Sequence, residues 1–231
     1  MSLYLIPNTL GDSSIDAVIP TQIKELINSI DYYVVEDLRS ARRYLRKLDI
    51  KKSIDELHFT ELNEHTKPEE IPALLQPAKE GKNIGIISEA GCPAVADPGA
   101  LLVKLAHEQG IKVIPLVGPS SIILALMASG MNGQNFCFHG YLPVEKADRI
   151  KKIKQLEENA QRLKQTQIFI ETPYRNNHLF ESILENCNPN TLVCIAADIT
   201  LATEVIITKS VAKWRQTNPD LHKRPVVFLV G

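Results

Sequence analysis

Short apolar runs alternate with segments of helical periodicity through the first half of the chain. Runs rich in β-branched residues predict five strands, at residues 3–6, 32–35, 57–60, 83–87 and 112–117. Apolar residues at helical spacing predict five helices, over residues 20–30, 40–48, 68–79, 100–108 and 122–129. This alternation indicates a mostly parallel sheet with right-handed crossovers. The helix at 122–129 is apolar on nearly every side, so we expect it to be buried between layers.

The pattern changes after residues 130–133. Strands are predicted at 136–142, 167–171, 192–197, 204–208 and 225–230, with helices at 144–164 and 177–185. The last three strands leave no room for helical crossovers, except near residues 211–215, which favours a mixed or antiparallel sheet. The sequence therefore predicts two α/β domains, at residues 1–130 and 134–231, with a mostly parallel sheet in the first and a mixed sheet in the second.

Residues 83–99 are the stretch around which the chain is organised. A buried strand ends there in small residues and a proline, and Asp97-Pro98-Gly99 then opens a helix. Asp97 suits an N-cap and Pro98 suits the first helical position. Open α/β sheets bind ligands at the carboxyl ends of their strands, so this long loop is either a ligand site or an ordinary connection.

The bulk composition is that of an ordinary globular protein. The 231 residues are 44% hydrophobic and 23% charged, with a net charge of −1. This charge argues against binding nucleic acid by bulk electrostatics but leaves room for a local basic face. The four cysteines form no C-x-x-C pair, and we find no signal peptide and no apolar run of membrane-spanning length. We expect a soluble cytoplasmic protein with no membrane partner.

The sequence lacks the motifs of several common enzyme and nucleotide-binding sites. There is no G-x-x-x-x-G-K-[ST], no G-x-G-x-x-G, no H-E-x-x-H and no G-x-S-x-G. Ser120 and Ser121 lack an adjacent base, and helix capping explains them better than a nucleophilic role. His65 and His139 are isolated. We therefore predict no metal site.

Five segments together resemble one family. They read LYLIP at 3–7, VVEDLR at 34–39, ISEAGCPAVADPG at 87–99, PLVGPSS at 115–121 and IETPYR at 170–175. The chain resembles the class III, tetrapyrrole-methylase-like S-adenosylmethionine methyltransferases. Within them it is most similar to the RsmI branch, which methylates a cytidine 2′-hydroxyl in small-subunit ribosomal RNA. The central loop is the most specific of these segments.

The resemblance implies two α/β domains with S-adenosylmethionine in the cleft between them, usually in a homodimer. Small residues in the central loop let the backbone approach such a cofactor closely. By position, the resemblance assigns cofactor binding to Pro7, Ser88, Glu89, Ala90, Gly91, Cys92, Pro93, Ser120, Ser121, Tyr141 and Leu142.

The acceptor side is assigned on the same basis. Glu36 and Asp37 are the candidate bases for an acceptor hydroxyl, and Arg39 would orient a phosphate or pair with one carboxylate. Their alternative role is an Asp–Arg ion pair that holds the turn. Candidate acceptor-lining residues are Glu61, Asn63 and Glu64. Three arginines, Arg42, Arg43 and Arg46, form either a solvated helix face or a contact to RNA phosphate.

Three functions stay open at this point. The first is ribose methylation of ribosomal RNA or the small ribosomal subunit. The second is methylation of a small molecule such as a tetrapyrrole, which predicts an apolar rather than a basic acceptor cleft near Glu36. The third is a non-catalytic S-adenosylmethionine-binding relative. It is motivated by Thr60 and Leu62, which stand where the RsmI branch carries histidines.

Overall fold

The computed structural model describes residues 1–217 and 219–231. Contacts between Cα atoms divide the chain into two compact units, Met1–Ser120 and Ser121–Gly231. Both units contain strands and helices, so the predicted fold class of two α/β domains is confirmed.

The first unit is built on a five-stranded sheet in which every pair of neighbours is parallel. Its strands, in chain order, are β1 (Ser2–Leu5), β2 (Tyr32–Val35), β3 (His58–Glu61), β4 (Ile84–Ile87) and β5 (Lys112–Pro115). Their spatial order is β3-β2-β4-β1-β5. All five predicted strands are present, and the predicted parallel sheet is confirmed. Because β4 lies between β2 and β1, its carboxyl end is flanked by the loops of both.

Helices cover both faces of this sheet. They are α1 (Ile15–Val18), α2 (Thr21–Ile27), α3 (Leu38–Lys47), α4 (Gln76–Lys79) and α5 (Gly99–Glu108). One core cluster contains Ile6, Ile27 and Leu45, and a second contains Leu3 and Leu102. Burial on two faces explains why the strands read as continuous apolar runs.

Two helical predictions in this unit were wrong in detail. The segment predicted as one helix at 68–79 forms a 3-10 helix at Ile71–Leu75 followed by the short α4. Pro72 and Pro77 both lack an amide hydrogen and prevent one continuous helix. The helix predicted at 20–30 ends earlier, at Ile27, and a short helix precedes it at Ile15–Val18.

The second unit contains a mixed sheet, as predicted. Its strands are β6 (Phe136–Tyr141), β7 (Thr166–Ile170), β8 (Leu192–Ala197), β9 (Val205–Ser210) and β10 (Val226–Val230), in the order β6-β7-β10-β8-β9. The pair β6–β7 is parallel and the other three pairs are antiparallel. The helices are α6 (Ser121–Ser129), α7 (Lys146–Leu163), α8 (Asn176–Asn186) and α9 (Val211–Trp214).

Helix α6 differs from its prediction in two ways. It contacts β10, β9 and β8, and the Thr208 hydroxyl donates to the Ser129 carbonyl oxygen at 2.7 Å, so it belongs to the second unit. The units therefore divide after Ser120 rather than near residue 130. The helix is also not buried all round. Ala125 and Leu126 are buried, whereas Met127 is 74% exposed, because only one side of the helix meets the sheet.

Within the part of the chain that the structure describes, none of the helices combines the length and apolar character needed to cross a membrane.

Candidate active site

The loops that follow the parallel strands form the candidate site in the first unit. Parallel strands end at the same edge, so the spatial order of the sheet sets the order of these loops. Glu61 ends β3, Glu36 follows β2, Ser88 follows β4 and Pro7 follows β1 closely. The predicted long loop after β4 thus lies between the segment that carries Glu36 and the segment that carries Pro7.

Asn8 joins the loop after β1 to the loop after β4. Its backbone donates to the Gly91 carbonyl at 2.9 Å and accepts from the Gly91 amide at 3.2 Å. Its side-chain amide donates to the carbonyls of Ser88 at 3.1 Å and Glu89 at 2.9 Å. Asn8 is only 5% exposed, so these bonds are shielded from water. Pro7 was predicted as a cofactor-binding residue of this loop, whereas Asn8 was not predicted.

Two glycines allow three loops to approach one another closely. Gly91 has φ +68°, and a Cβ there would lie 3.2 Å from Leu10 Cδ2 and 3.4 Å from the Pro119 carbonyl oxygen. A Cβ on Gly118 would lie 2.2 Å from Pro7 Cβ, far closer than two carbon atoms in van der Waals contact. Only glycine fits at this contact.

Cys92 fastens the same loop to the segment after β5. Its thiol lies 3.4 Å from the carbonyl oxygen of Pro119. Burial raises the pKa of the Cys92 thiol, so the protonated donor is the form that the site favours. Cys92 therefore holds loop backbone in place, and its environment is not that of a nucleophile.

Asp97 closes the far end of the loop after β4. Its carboxylate accepts from the Ala94 amide at 2.9 Å and from the Gly99 amide at 2.7 Å. Ala94 and Ala96 have φ of +66° and +62°, the left-handed region that costs an alanine about 1–2 kcal/mol. The helix begins at Gly99, so its N-cap is Pro98 rather than the predicted Asp97, and Asp97 bonds the turn before it.

Glu36 is bonded to this loop from the β2 side. Its carboxylate accepts from the backbone amide of Glu89 at 2.9 Å. Burial raises the pKa of Glu36, and the nearby charges of Glu89 and Asp97 raise it further, against the lowering effect of that hydrogen bond. A carboxylate with a raised pKa is a stronger proton acceptor, which is the property expected of a general base.

Asp37 has a different role in the structure. Its carboxylate accepts from the Ser40 amide at 2.7 Å and caps α3. The hydrogen bonds from Ser40 lower the pKa of Asp37, which makes it a poor proton acceptor. Among the described residues no ion pair within 4.0 Å involves Arg39, so the pair considered for this turn is not formed directly.

The three candidate acceptor-side residues are divided by the structure. Glu61 accepts from the Leu38 amide at 3.3 Å, so it lies against the start of α3 beside the Glu36 segment. Asn63 accepts from the His65 amide at 3.0 Å and shapes a turn. Glu64 is exposed, 3.7 Å from the His65 ring. Only Glu61 is hydrogen-bonded to a neighbouring part of the candidate site.

The remaining candidate residues lie at or beyond the division between the units. Ser120 ends the first unit and Ser121 begins α6, consistent with a helix start. Tyr141 is 59% exposed, whereas Leu142 is buried in the core of the second unit. Gly140 precedes them with φ +66°, beside an irregularity in the β6–β7 register.

Four carboxylates gather in this part of the first unit, and none of them makes a direct ion pair. They are Glu36, Asp37, Glu89 and Asp97, and the charges of the last three all raise the pKa of Glu36. Over residues 1–217 and 219–231, no lysine, arginine or histidine nitrogen lies within 4.0 Å of their oxygens. The charges of Arg39 and Arg43 lower the pKa of Asp37 from farther away. Glu36, Glu89 and Asp97 therefore form most of a locally negative surface that suits a cation.

An open cavity of about 630 Å³ is lined by one of these carboxylates, Glu89. Its lining combines charged and polar groups with apolar surface, and it comes from the loop after β1, from α3 and from the loop after β4. The lining residues are Asn8, Thr9, Leu10, Gly11, Asp12, Ser40, Arg43, Tyr44, Lys47, Glu89 and Ala90. Tyr44, which is buried, donates its hydroxyl to the Pro7 carbonyl oxygen. The volume is in the range of small-molecule sites.

Solved structures of other proteins share the fold of this chain. The methyltransferase CobJ has a TM-score of 0.66 at 17% identity, covering 100% of this chain and 93% of that one. The cobalt precorrin-4 methyltransferase CbiF has a TM-score of 0.61 at 16% identity, covering 100% and 94%. The fold is that of the tetrapyrrole methyltransferases, as the resemblance implied. No family model matches the chain.

Relatives in sequence narrow the class to a family. Ribosomal RNA small subunit methyltransferase I of Buchnera aphidicola subsp. Acyrthosiphon pisum is 30% identical over 231 residues, covering 99% of this chain and 78% of the relative. The protein of the same name from Mesorhizobium japonicum is 31% identical over 232 residues, covering 100% and 75%. The chain belongs to the ribosomal RNA small subunit methyltransferase I family.

Proposed function

We propose that this protein is an S-adenosylmethionine-dependent methyltransferase whose acceptor is a cytidine 2′-hydroxyl in small-subunit ribosomal RNA. Family membership supports the reaction class and the RNA substrate. Within the molecule, the observation that carries the proposal is the set of unpaired carboxylates at the edge of the parallel sheet. Such a surface attracts a cationic ligand, and the methyl donor is a sulfonium cation.

The residues around the loop after β4 fit S-adenosylmethionine. This cofactor supplies a methyl group from a positively charged sulfur, and the sulfur leaves as a neutral thioether. In the first unit, Pro7, Ser120 and the loop residues Ser88, Glu89, Ala90, Gly91, Cys92 and Pro93 would hold it. Ala90 and Gly91 keep the backbone accessible to a ligand, and Asn8 fixes that backbone through two carbonyls. The roles of Ser121, Tyr141 and Leu142, which belong to the second unit, stay predictions from the resemblance.

Glu36 is the residue proposed to accept the proton of the acceptor hydroxyl. Its raised pKa makes it a better base than an ordinary glutamate, and the Glu89 amide holds its carboxylate in one orientation. General-base assistance of this kind contributes about 10²–10⁴-fold to a rate. Asp37 is proposed to orient α3 as its cap, and Arg39 is proposed to contact RNA. Glu61, Asn63 and Glu64 are proposed to line the acceptor side.

Methylation of a tetrapyrrole is the second candidate, and the fold shared with CobJ and CbiF favours it. That function predicted an apolar acceptor cleft near Glu36. The cavity beside the Glu36–Glu89 bond is instead lined by Arg43, Lys47 and Asp12, among other polar groups. These charged groups do not fit the wholly apolar cleft that the tetrapyrrole alternative predicted.

We also propose a homodimer that works on the small ribosomal subunit, and therefore in the cytoplasm. The exposed apolar side chains Ile123 and Met127 lie one turn apart on α6 and suit a contact with a second copy. Light scattering of the purified protein tests this point directly. A monomer at micromolar concentration would contradict it.

The test of the proposed function uses small ribosomal subunits from a strain that lacks the enzyme. We expect the purified protein to transfer labelled methyl groups from S-adenosylmethionine to the RNA, and nuclease mapping to find one modified ribose. Glu36→Gln should lose most of this transfer, whereas Glu25→Gln, an exposed carboxylate on α2, should not. Absence of transfer to any cell fraction would support the non-catalytic alternative instead.

A further inference from the structure

The cavity of the first unit contains basic side chains that the proposed reaction does not use. They come from helix α3, and the structure separates the basic residues of that helix into different environments. Arg43 and Lys47 lie one turn apart and line the cavity. Arg42 instead lies over the Phe59 ring, 5.4 Å from its centroid. Arg46 is exposed and outside the cavity lining.

Of the two basic residues in the cavity, Arg43 is the one that makes no direct ion pair, although its charge lowers the pKa of Asp12 and of Asp37 from farther away. Lys47 is bonded to Asp12 at 2.5 Å, so its charge is already balanced. Among the described residues, no carboxylate lies within ion-pair distance of Arg43. A guanidinium offers five donors in a planar fork that matches the oxygens of a phosphate.

The position of Arg43 connects it to the reaction site. The wall across from α3 is formed by Glu89 and Ala90, and the Glu89 amide is bonded to the carboxylate of Glu36. Tyr44, on the same helix, is tied to Pro7 through its hydroxyl, so helix and loop form a fixed frame. An anion at Arg43 would therefore share a cavity with the loop that contacts the proposed base.

We infer that this cavity binds a phosphodiester of the RNA substrate, with Arg43 as the side chain that contacts the phosphate. The inference rests on the proposed function, because an RNA acceptor brings phosphates on both sides of the reacting ribose. The cavity has a volume of about 630 Å³, which leaves room for a nucleotide and not only for an ion. Arg43 would then be a positioning residue that sets where the acceptor strand lies.

The experiment measures binding of a fluorescein-labelled single-stranded RNA 12-mer by anisotropy at several salt concentrations. One phosphate contact contributes about 0.7 to the slope of log K against log salt for a single strand. We expect Arg43→Gln to make this slope shallower by about 0.7. Because 0.1 M and 1 M salt differ by one unit of log salt, the factor by which Arg43→Gln weakens RNA binding should be about fivefold larger at 0.1 M than at 1 M. Arg43→Lys keeps the charge and should recover most of the loss.

Arg46→Gln is the matched control, since it removes the same charge from the same helix outside the cavity. An equal loss of RNA binding in Arg46→Gln and Arg43→Gln would overturn the inference, and so would an unchanged slope in Arg43→Gln. Inorganic phosphate should compete with RNA only at much higher concentration. If uroporphyrin, a carboxylated tetrapyrrole, displaces the 12-mer more strongly than unlabelled RNA does, the choice of RNA is wrong.

Calorimetry with S-adenosylmethionine on the same variants separates this inference from the proposed function. Arg43→Gln should bind the methyl donor as the wild type does, and should raise KM for small ribosomal subunits more than it lowers kcat. A wild type that binds RNA through Arg43 but transfers no methyl group would contradict the proposed function alone. A wild type that methylates subunits, with Arg43→Gln equally efficient, would contradict the inference alone.

Discussion

Asn8→Ala tests whether one buried amide holds the loop that would receive the methyl donor. The substitution removes two donated bonds, to the carbonyls of Ser88 and Glu89, and the bond accepted from the Thr9 amide at 2.8 Å. It leaves the backbone bridge between Asn8 and Gly91 intact. The loop therefore keeps its attachment to β1 but loses the side-chain bonds that fix its orientation.

The magnitude follows from the burial of each partner. The bond to the Ser88 carbonyl is fully buried, and an unsatisfied buried group costs about 1–3 kcal/mol. The bonds to Glu89 and Thr9 are part-buried, so water replaces much of what they contribute. We expect the free energy of unfolding of the first unit to fall by about 2–3 kcal/mol. Asn8→Asp should be worse, because a carboxylate would face two carbonyl oxygens.

Three measurements check this prediction. Urea unfolding gives the stability loss, and hydrogen exchange reports opening at the amides of residues 88–91. Calorimetry with S-adenosylmethionine should show about tenfold weaker binding, since ordering one more residue costs about 1–2 kcal/mol and 1.4 kcal/mol is tenfold.

Asn28→Ala is the matched control for Asn8→Ala. Asn28 donates to the Lys24 carbonyl at 2.7 Å and accepts from the Lys51 amide at 2.8 Å, in the same unit but away from the loop. It should cost stability without changing donor affinity. If Asn8→Ala binds the donor like the wild type, or Asn28→Ala weakens binding equally, the reasoning about this amide is refuted.

Three further predictions concern the same loops. Glu36→Gln should lower kcat by about 10²–10⁴-fold. It should also raise the free energy of unfolding at neutral pH. The stabilising effect of a raised carboxyl pKa is present below the ordinary carboxyl pKa of 4.5 and is lost as pH rises through the raised pKa, so the wild type lacks it at neutral pH. Asp97→Asn removes a charge that raises the pKa of Glu36, so the acidic limb of the rate profile should move to lower pH, and an unmoved limb would exclude Glu36 as the titrating base. Gly118→Ala would place a Cβ 2.2 Å from Pro7 Cβ and should destabilise the first unit by about 1–3 kcal/mol in urea. Gly133→Ala, at a glycine of the second unit where φ is not positive and a Cβ meets nothing within 4 Å, is the control without a clash.

The elements of the fold were predictable because their signal is periodic. The strand at residues 32–35 was predicted with its observed bounds, Tyr32–Val35, since a parallel strand buried on both faces shows one apolar run. Helix α6 was located correctly but placed in the wrong unit. In a helix that is apolar on nearly all sides, the sequence pattern does not indicate which sheet the helix packs on. Helix α6 follows β5 in the chain but packs on the sheet of the second unit.

The candidate site was less predictable because its bonds connect residues far apart in the chain. Asn8 lies 80 residues from Ser88, and nothing in a Pro-Asn turn indicates that its amide spans that distance. Asp37 shows a second limit of the sequence. Its carboxylate and its place at a strand end suggested chemistry, but the same features define an N-cap, and the bond from Ser40 that makes Asp37 a cap is visible only in the structure.

The strained loop and the unpaired carboxylates have one physical origin. Asp97 must stay near the Ala94 and Gly99 amides to hold two alanines in the left-handed region, and this also keeps its charge close enough to raise the pKa of Glu36. A chain selected for stability alone would place glycine at these positions and pair the acids with lysine. A bound cation relieves the repulsion among the carboxylates, so the same groups that destabilise the free protein should strengthen its hold on a sulfonium donor.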